Sequence, residues 1–297
     1  MIQIHKPVLS KQVLEYLGVE PNKNFIDATV GEGGHTVSIL GKNGPDGKVL
    51  GIDWDQNQIE NSRTLLSGFN GRTVLAHSSY AEVKTIVDQE KFGPVNGIIA
   101  DLGYSSWHIE QSGRGFAFSQ DERLDMRYSE DTELTAEKII NEYSEQDIEQ
   151  IIHEYGEEKF SKKIAQEIVE ARVQKPITTT AELREVIARA IPGRFQHGSI
   201  DYATRTFQAL RIAVNGELEN IKIFLPKALE VLAQDGRLVV ISFHSLEDRI
   251  VKQFFKQMED EHKGEILTKK PVTAESSEIK ENPRSRSAKL RALKKIT

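Results

Sequence analysis

Along the first hundred residues, apolar positions gather in short runs separated by amphipathic stretches. The runs "NFIDATV" (24–30), "KVLGID" (48–53), "RTVLAHSS" (72–79) and "VNGIIADLG" (95–103) have strand length and are rich in β-branched residues. The first predicts a strand over Phe25–Val30, and His35–Lys42 predicts a helix directly after it. Gln56–Leu66 and Tyr80–Gln89 have helical composition. Strand and helix in alternation predict a parallel sheet with right-handed crossovers.

The rhythm stops after Asp101. From Trp107 to Tyr202 there is no convincing buried strand, and apolar residues recur at helical spacing, as in Ile139, Ile140, Tyr143 and in Ile148, Ile151, Ile152, Tyr155. "TTTAELREVIARAI" (178–191) opens with threonines able to cap a helix and continues through Leu183, Val186, Ile187, Ala190 and Ile191. The sheet pattern then resumes. "GELENIKIFLPKALEVLAQDG" predicts a helix kinked at Pro226 and ended near Gly236, "RLVVISF" (237–243) a buried strand, and "SLEDRIVKQFFKQM" the next helix. The last forty residues supply either two final strands or a partly ordered tail. The expected architecture is α/β, with a sheet core over 1–106 and 206–297 and a helical insertion over 107–205.

Composition narrows the chemistry. A chain of 297 residues suits one large domain or a domain carrying an insertion. The absence of cysteine excludes disulfides, thiolate zinc sites and cysteine nucleophiles, and no metal is assigned. No apolar run approaches the ~20 residues of a membrane span. "MIQIHKPVLSK" lacks a signal peptide's apolar core. A soluble, cytoplasmic protein with no membrane partner is expected. The net charge of −6 argues against binding a polyanion, but six Lys or Arg and no acid sit in 284–297, which leaves −12 on the other 283 residues. That basic segment is either a phosphate-binding element or a solvated face.

Gly31, Gly33 and Gly34 lie between the first strand and its helix. A strand–glycine–helix unit of this kind cradles a nucleotide-like ligand at the helix N-terminus. Asp53 ends the second strand, twenty-two residues after Gly31, where a carboxylate can accept from both hydroxyls of an adenosine ribose. Dinucleotides and S-adenosylmethionine share that geometry. The dinucleotide fingerprint G-x-G-x-x-G lacks its third glycine here, and Glu32 would repel a pyrophosphate but not a sulfonium, which favours S-adenosylmethionine. The reading without a ligand is a tight turn with Asp53 capping the next helix. Asp101, at the end of the fourth strand, points to the same crevice or caps a helix. His244, in "SFHSLED", is either a proton acceptor or, as the favoured reading, a hydrogen-bonded positioning residue.

Taken together, "HKPVL" (5–9), "DATVGEGGHT" (27–36), "GIDWD" (51–55), "DLGYSS" (101–106), "RGFAF" (114–118), "LDMR" (124–127), "ATRTFQALRIAVNGEL" (203–218), "ISFHSLEDRIVK" (241–252) and "RSAKLRA" (286–292) closely resemble the bacterial family of small-subunit ribosomal RNA cytosine-N4 methyltransferases, RsmH or MraW, nearly end to end. The resemblance implies a seven-stranded, Rossmann-like methyltransferase core with a helical insertion that recognises substrate. It also implies S-adenosylmethionine as cofactor and a cytosine of the decoding region of 16S rRNA as target. The family's cofactor contacts fall on Gly33, Gly34, His35, Asp53, Tyr80, Asp101 and His108. Tyr80 stands where the family often has phenylalanine, and His108 follows "SSW" where the family reads S-S-P-Q. Asp101, or the backbone carbonyls of its loop, is the expected acceptor for the target amine, with His244 in reserve. Arg114, Arg123, Arg127, Arg205 and Arg211 are candidate phosphate or base contacts, each with a surface ion pair as the alternative. A homodimer is left open. The rival functions are a methyltransferase acting on DNA or a small molecule, and a non-catalytic RNA-binding assembly factor.

Overall fold

The computed structural model describes residues 7–69, 71–196, 198 and 201–297, so His5 and Lys6 of "HKPVL" lie outside the described residues. In chain order the elements begin with α1 (Ser10–Leu17), β1 (Asn24–Asp27), α2 (Gly34–Leu40), β2 (Val49–Asp53), α3 (Gln56–Leu65), β3 (Thr73–His77), α4 (Val83–Gln89) and β4 (Val95–Asp101). A run of helices follows: α5 (Ser106–Glu110), α6 (Ala136–Glu142), α7 (Glu145–Gly156), α8 (Ser161–Gln174), α9 (Thr180–Ala190) and α10 (Thr204–Asn215). The chain closes with α11 (Glu217–Val231), β5 (Leu232–Ser242), α12 (Ser245–Asp260), β6 (Gly264–Ile266), α13 (Ser276–Glu281) and β7 (Lys289–Lys295).

These elements form two units, one of Met1–Gly103 with Leu218–Thr297 and one of Tyr104–Glu217. The first holds a single sheet of order β3-β2-β1-β4-β5-β7-β6. β1–β2, β2–β3, β1–β4 and β4–β5 pair parallel, while β7 runs antiparallel between β5 and β6. The strand order reverses at β1, whose two neighbours are β2 and β4. In open α/β sheets a ligand crevice forms at such a switch, outside the carboxyl ends of the strands.

Alternation along the strands explains why both faces are covered. Ile26, Leu50, Ile52, Ile98, Leu238 and Val240 pack with Phe224 and Leu225 of α11 and with Val251 and Phe255 of α12. Phe25, Val49, Ile99, Val239 and Ile241 pack with Val13 and Leu17 of α1 and with Ile39 and Leu40 of α2. A parallel sheet with helices on both faces needs apolar residues on both, which is why β4 reads as a nearly unbroken apolar run.

One expectation changes, and one open alternative is decided. The helix predicted through Gly236 ends at Val231, and β5 starts at once. "QDG" is a kink inside that strand: Asp235 has φ of +62°, and the pairing with β4 slips between Val95 and Gly97. The end of the chain is ordered as β6 and β7, the two-strand alternative.

The second unit packs its own core from Ile139, Ile148, Ile152, Ile164, Ile168, Leu183, Ile187, Phe207 and Leu210, the positions at helical spacing. Its described residues hold no strand beyond an isolated bridge between Arg123 and Thr179. The unit runs on to Glu217 and takes α10 with it, past the expected end at 205, because Phe207, Leu210 and Val214 belong to this core. No helix among the described residues is long and apolar enough to cross a membrane.

Candidate functional site

In the sheet unit the glycine turn forms as the sequence predicts. Gly33 caps α2 with φ of +90°, a backbone region closed to side chains at ordinary cost. Gly34 opens the helix, and the Gly31 N–H donates to Asp53 Oδ2 at 2.8 Å. Asp53 Oδ1 accepts from the Asp55 N–H at 2.9 Å, so two backbone amides from two loops orient the carboxylate. A carboxylate offers about four acceptor sites, so this anchoring is compatible with accepting from a ribose diol. Asp53 does not cap α3; Asp55 does, through the Asn57 N–H. The Ser78 N–H donates to the Asp53 carbonyl at 2.9 Å, which ties the next loop to the same strand end. Tyr80 begins a short turn on that loop, with its ring edge-on to Phe224 at 5.3 Å between centroids.

Asp101 closes β4. Its N–H donates to Thr29 Oγ1 at 2.7 Å, and its Oδ1 accepts from the Gly103 N–H at 3.2 Å. It caps no helix, since Ser105 caps α5. Gly103 leaves room for Phe243: a Cβ there would lie 2.6 Å from the phenyl ring. The ring thus fixes the path of the loop that follows Asp101. His35, 5% exposed, places Nε2 3.5 Å from Asp101 Oδ2, yet neither ring nitrogen makes a hydrogen bond.

Asp27 is the residue the sequence reading passed over. It is fully buried at the end of β1, accepts from Thr36 Oγ1 at 2.7 Å and lies beside His35 and Asp101. Burial pushes its carboxyl above the usual carboxylate range; His35 and the hydrogen bonds from Thr36 and Thr29 pull it down, and Asp101 adds to the rise. Its signal was present in "NFIDATV", where an acid ends an otherwise apolar strand. Gln58 on α3 is also fully buried, with neither side-chain amide atom partnered. Its Oε1 lies 4.0 Å from where a Gly31 Cβ would sit. Unmet polar groups of this kind cost about 1–3 kcal/mol each, so their clustering around the glycine turn fits a site that takes a polar ligand.

His244 is the N-cap of α12. Its Nδ1 accepts from the Glu247 N–H at 3.5 Å, and Glu247 Oε2 accepts from the Phe243 N–H at 2.8 Å. These bonds tie His244 into the start of α12. The basic tail is largely occupied within the fold. Arg291 pairs bidentately with Asp248 at 2.7 and 3.1 Å, Lys294 reaches Glu265 and Asp235, and Lys295 donates to the carbonyls of Glu230 and Leu232. These three cations are thus held by partners within the sheet unit.

The remaining candidates lie in the helical unit. His108, 4% exposed, caps α5 through Ser105 and sits among Trp107, Phe116 and Tyr128, with centroids 4.9–5.5 Å away. Arg211 is buried in a bidentate pair with Glu217 at 2.8 and 3.1 Å, over the Tyr104 ring. Arg127 forks onto Asp125 and donates to the carbonyls of Glu130 and Thr132. Arg114 holds the carbonyls of Arg127 and Tyr128 and the Glu130 carboxylate. These three arginines build the unit. Arg123, paired with Glu137, and Arg205, whose Nη1 donates to the Glu157 carbonyl, remain exposed.

A model of the MraW methylase family matches residues 2–296. "Ribosomal RNA small subunit methyltransferase H" of Sulfurihydrogenibium sp. (strain YO3AOP1) is 46% identical over 98% of this chain and 99% of its own length. The protein of the same name from Dictyoglomus thermophilum is 47% identical over 97% of this chain and 95% of its own. Among solved structures, a candidate rRNA-methylase from Clostridium thermocellum superposes with a TM-score of 0.50 at 16% identity, covering 99% of this chain and all of the other, a likeness of fold.

Proposed function

This chain belongs to the MraW methylase family, and on that premise we propose that it methylates the exocyclic N4 amine of a cytosine in the decoding region of 16S rRNA, in the cytoplasm. The supporting observation is the convergence of the Gly31–Asp53 bond, Tyr80 and Asp101 on the strand ends around the β1 switch point. The residues fit S-adenosylmethionine: Asp53 for the ribose, Tyr80 as a wall for the adenine, and the Gly33–Gly34 turn with His35 for the polar end. When bound, it supplies a methyl group on a cationic sulfur whose departure needs no acid.

What the protein must do is make the target amine nucleophilic. A cytosine amine is a poor nucleophile because its lone pair is delocalised into the ring. Asp101 accepts a hydrogen bond from that amine, localises the lone pair and receives the proton released on transfer. Thr29 and Gly103 hold the aspartate in place, so alignment supplies a large part of the rate. The cytosine has to be unstacked to present its amine. Mass mapping of rRNA nucleosides with and without the protein tests this reading. Loss of one N4-methylated cytidine is expected. Unchanged rRNA together with methylated DNA or a methylated small molecule would overturn it.

A further inference from the structure

Outside the strand-end site, one surface of the helical unit gathers cations that the fold does not use. Lys159, Lys162 and Lys163 flank the start of α8, all exposed, and none takes part in an ion pair or hydrogen bond among the described residues. Phe160, between them in sequence, packs its ring against Phe195 at 5.3 Å between centroids. Phe195 is 49% exposed, an unusual setting for a phenylalanine. The exposed Arg194 places its guanidinium 4.9 Å from the Phe195 centroid and has no carboxylate partner among the described residues. Arg205 joins the same surface, its Nη1 donating to the backbone carbonyl of Glu157 at 3.2 Å. Glu158, next to Lys159 in sequence, is buried and accepts from the Phe160 N–H at 2.9 Å.

Elsewhere in this net-acidic chain several arginines are matched. Arg127, Arg184, Arg189, Arg211 and Arg291 each hold a carboxylate. Leaving several unmatched beside an exposed aromatic ring is the composition that single-stranded nucleic acid needs: charges to follow the phosphates and a π-face for an unstacked base. An arginine plane laid near the ring widens the stacking surface.

The geometry points to Lys159, Lys162, Lys163, Arg194, Phe195 and Arg205 as a second RNA-docking surface, which holds a single-stranded segment of the rRNA. This inference rests on the rRNA reading above, and the experiment separates the two.

The wild-type protein and a K159Q/K162Q/K163Q/R194Q variant are titrated with an in vitro transcribed small-subunit rRNA fragment across a salt series. Calorimetry with S-adenosylmethionine and a thermal melt serve as controls that the sheet unit and the fold are unchanged. If three of the four cations contact phosphate, the slope of log affinity against log salt falls by about 2, at roughly 0.7 per contact. Phe195→Ala should weaken binding about fivefold or more while leaving the slope unchanged, because stacking releases no counterions. Normal wild-type binding with a wild-type slope in the quadruple variant overturns the surface and leaves the function standing. A fallen slope with a silent Phe195→Ala overturns the stacking part. A wild-type protein that binds no rRNA overturns both.

Discussion

At the scale of single residues, two neighbouring carboxylates, Asp101 and Asp27, do different work. Asp101→Asn keeps the shape but accepts less strongly, so single-turnover methylation should fall about tenfold or more while S-adenosylmethionine affinity stays within a few-fold. Equal losses in both would mark Asp101 as a cofactor ligand alone. Asp27→Asn tests burial instead. Burial raises the Asp27 pKa above its unfolded value, so its contribution to stability is full below that value and is lost as the pH rises through the folded pKa. The asparagine variant should therefore gain unfolding free energy relative to wild type as the pH is raised, by about 1.4 kcal/mol for each unit of elevation. A pH-independent difference would show that His35 cancels the burial. From sequence Arg211 is a candidate phosphate or base contact with a surface ion pair as the alternative; in the fold it forms an ion pair that is buried. Burial works against its charge, and Glu217 together with Tyr128 and Tyr104 more than compensates, holding the guanidinium well above its ordinary value. Arg211→Met alone should cost about 3–5 kcal/mol in urea unfolding, whereas R211M/E217L should recover much of it. Additive costs would contradict the pairing. Nothing in "TFQALRIAVN" distinguishes an arginine that faces a partner acid six residues on from one that faces solvent, which is why that role was illegible.

At the scale of elements, what the sequence reveals depends on length and period. β1 to β4 were legible because each is an apolar run closed by turn residues, and the helices of the insertion because their apolar spacing persists for two or more turns. β6, with three residues, has no period to read. β7 alternates lysine and arginine with leucine and alanine, so its charges looked like a surface until the pairing with β5 and β6 and the Asp248 carboxylate gave them partners. The start of α9 shows the opposite case. The "TTT" run and Glu182 predict a cap, and both halves form: the Thr179 side chain accepts from the Glu182 N–H, and Glu182 Oε2 accepts from the Thr178 and Thr179 N–H groups. Hydrogen bonds from Lys175, then from the Thr178 backbone, lower the Glu182 pKa to about 2. Its support for the helix is thus complete above the unfolded carboxylate pKa and is lost as the pH falls through about 2. Glu182→Gln should lower the melting temperature near neutrality, and the gap should narrow steadily on acidification. A gap that widened in acid would contradict this account.

At the scale of the whole molecule, the sheet unit is interrupted while the helical unit is continuous from Tyr104 to Glu217. That division governs the order in which the protein can be made. β4 leaves the ribosome well before β5, the strand that covers its open edge from Val95 to Asp101. At ~5–20 residues per second, the 114 residues between the two halves take roughly 6–23 s to synthesise. During that interval the nascent chain carries half a sheet whose edge, with Val95, Ile98, Ile99 and Ala100, is a template for any passing strand. The helical unit, with all its core partners in hand, is free to fold first. A circular permutant that starts at residue 104 and joins 297 to 1 by a flexible linker would deliver the sheet as one continuous stretch. Its soluble yield in a chaperone-depleted translation system should exceed that of the natural order, at an unchanged melting temperature. Equal yields would mean that the exposed edge is shielded during synthesis by something other than its partner strand.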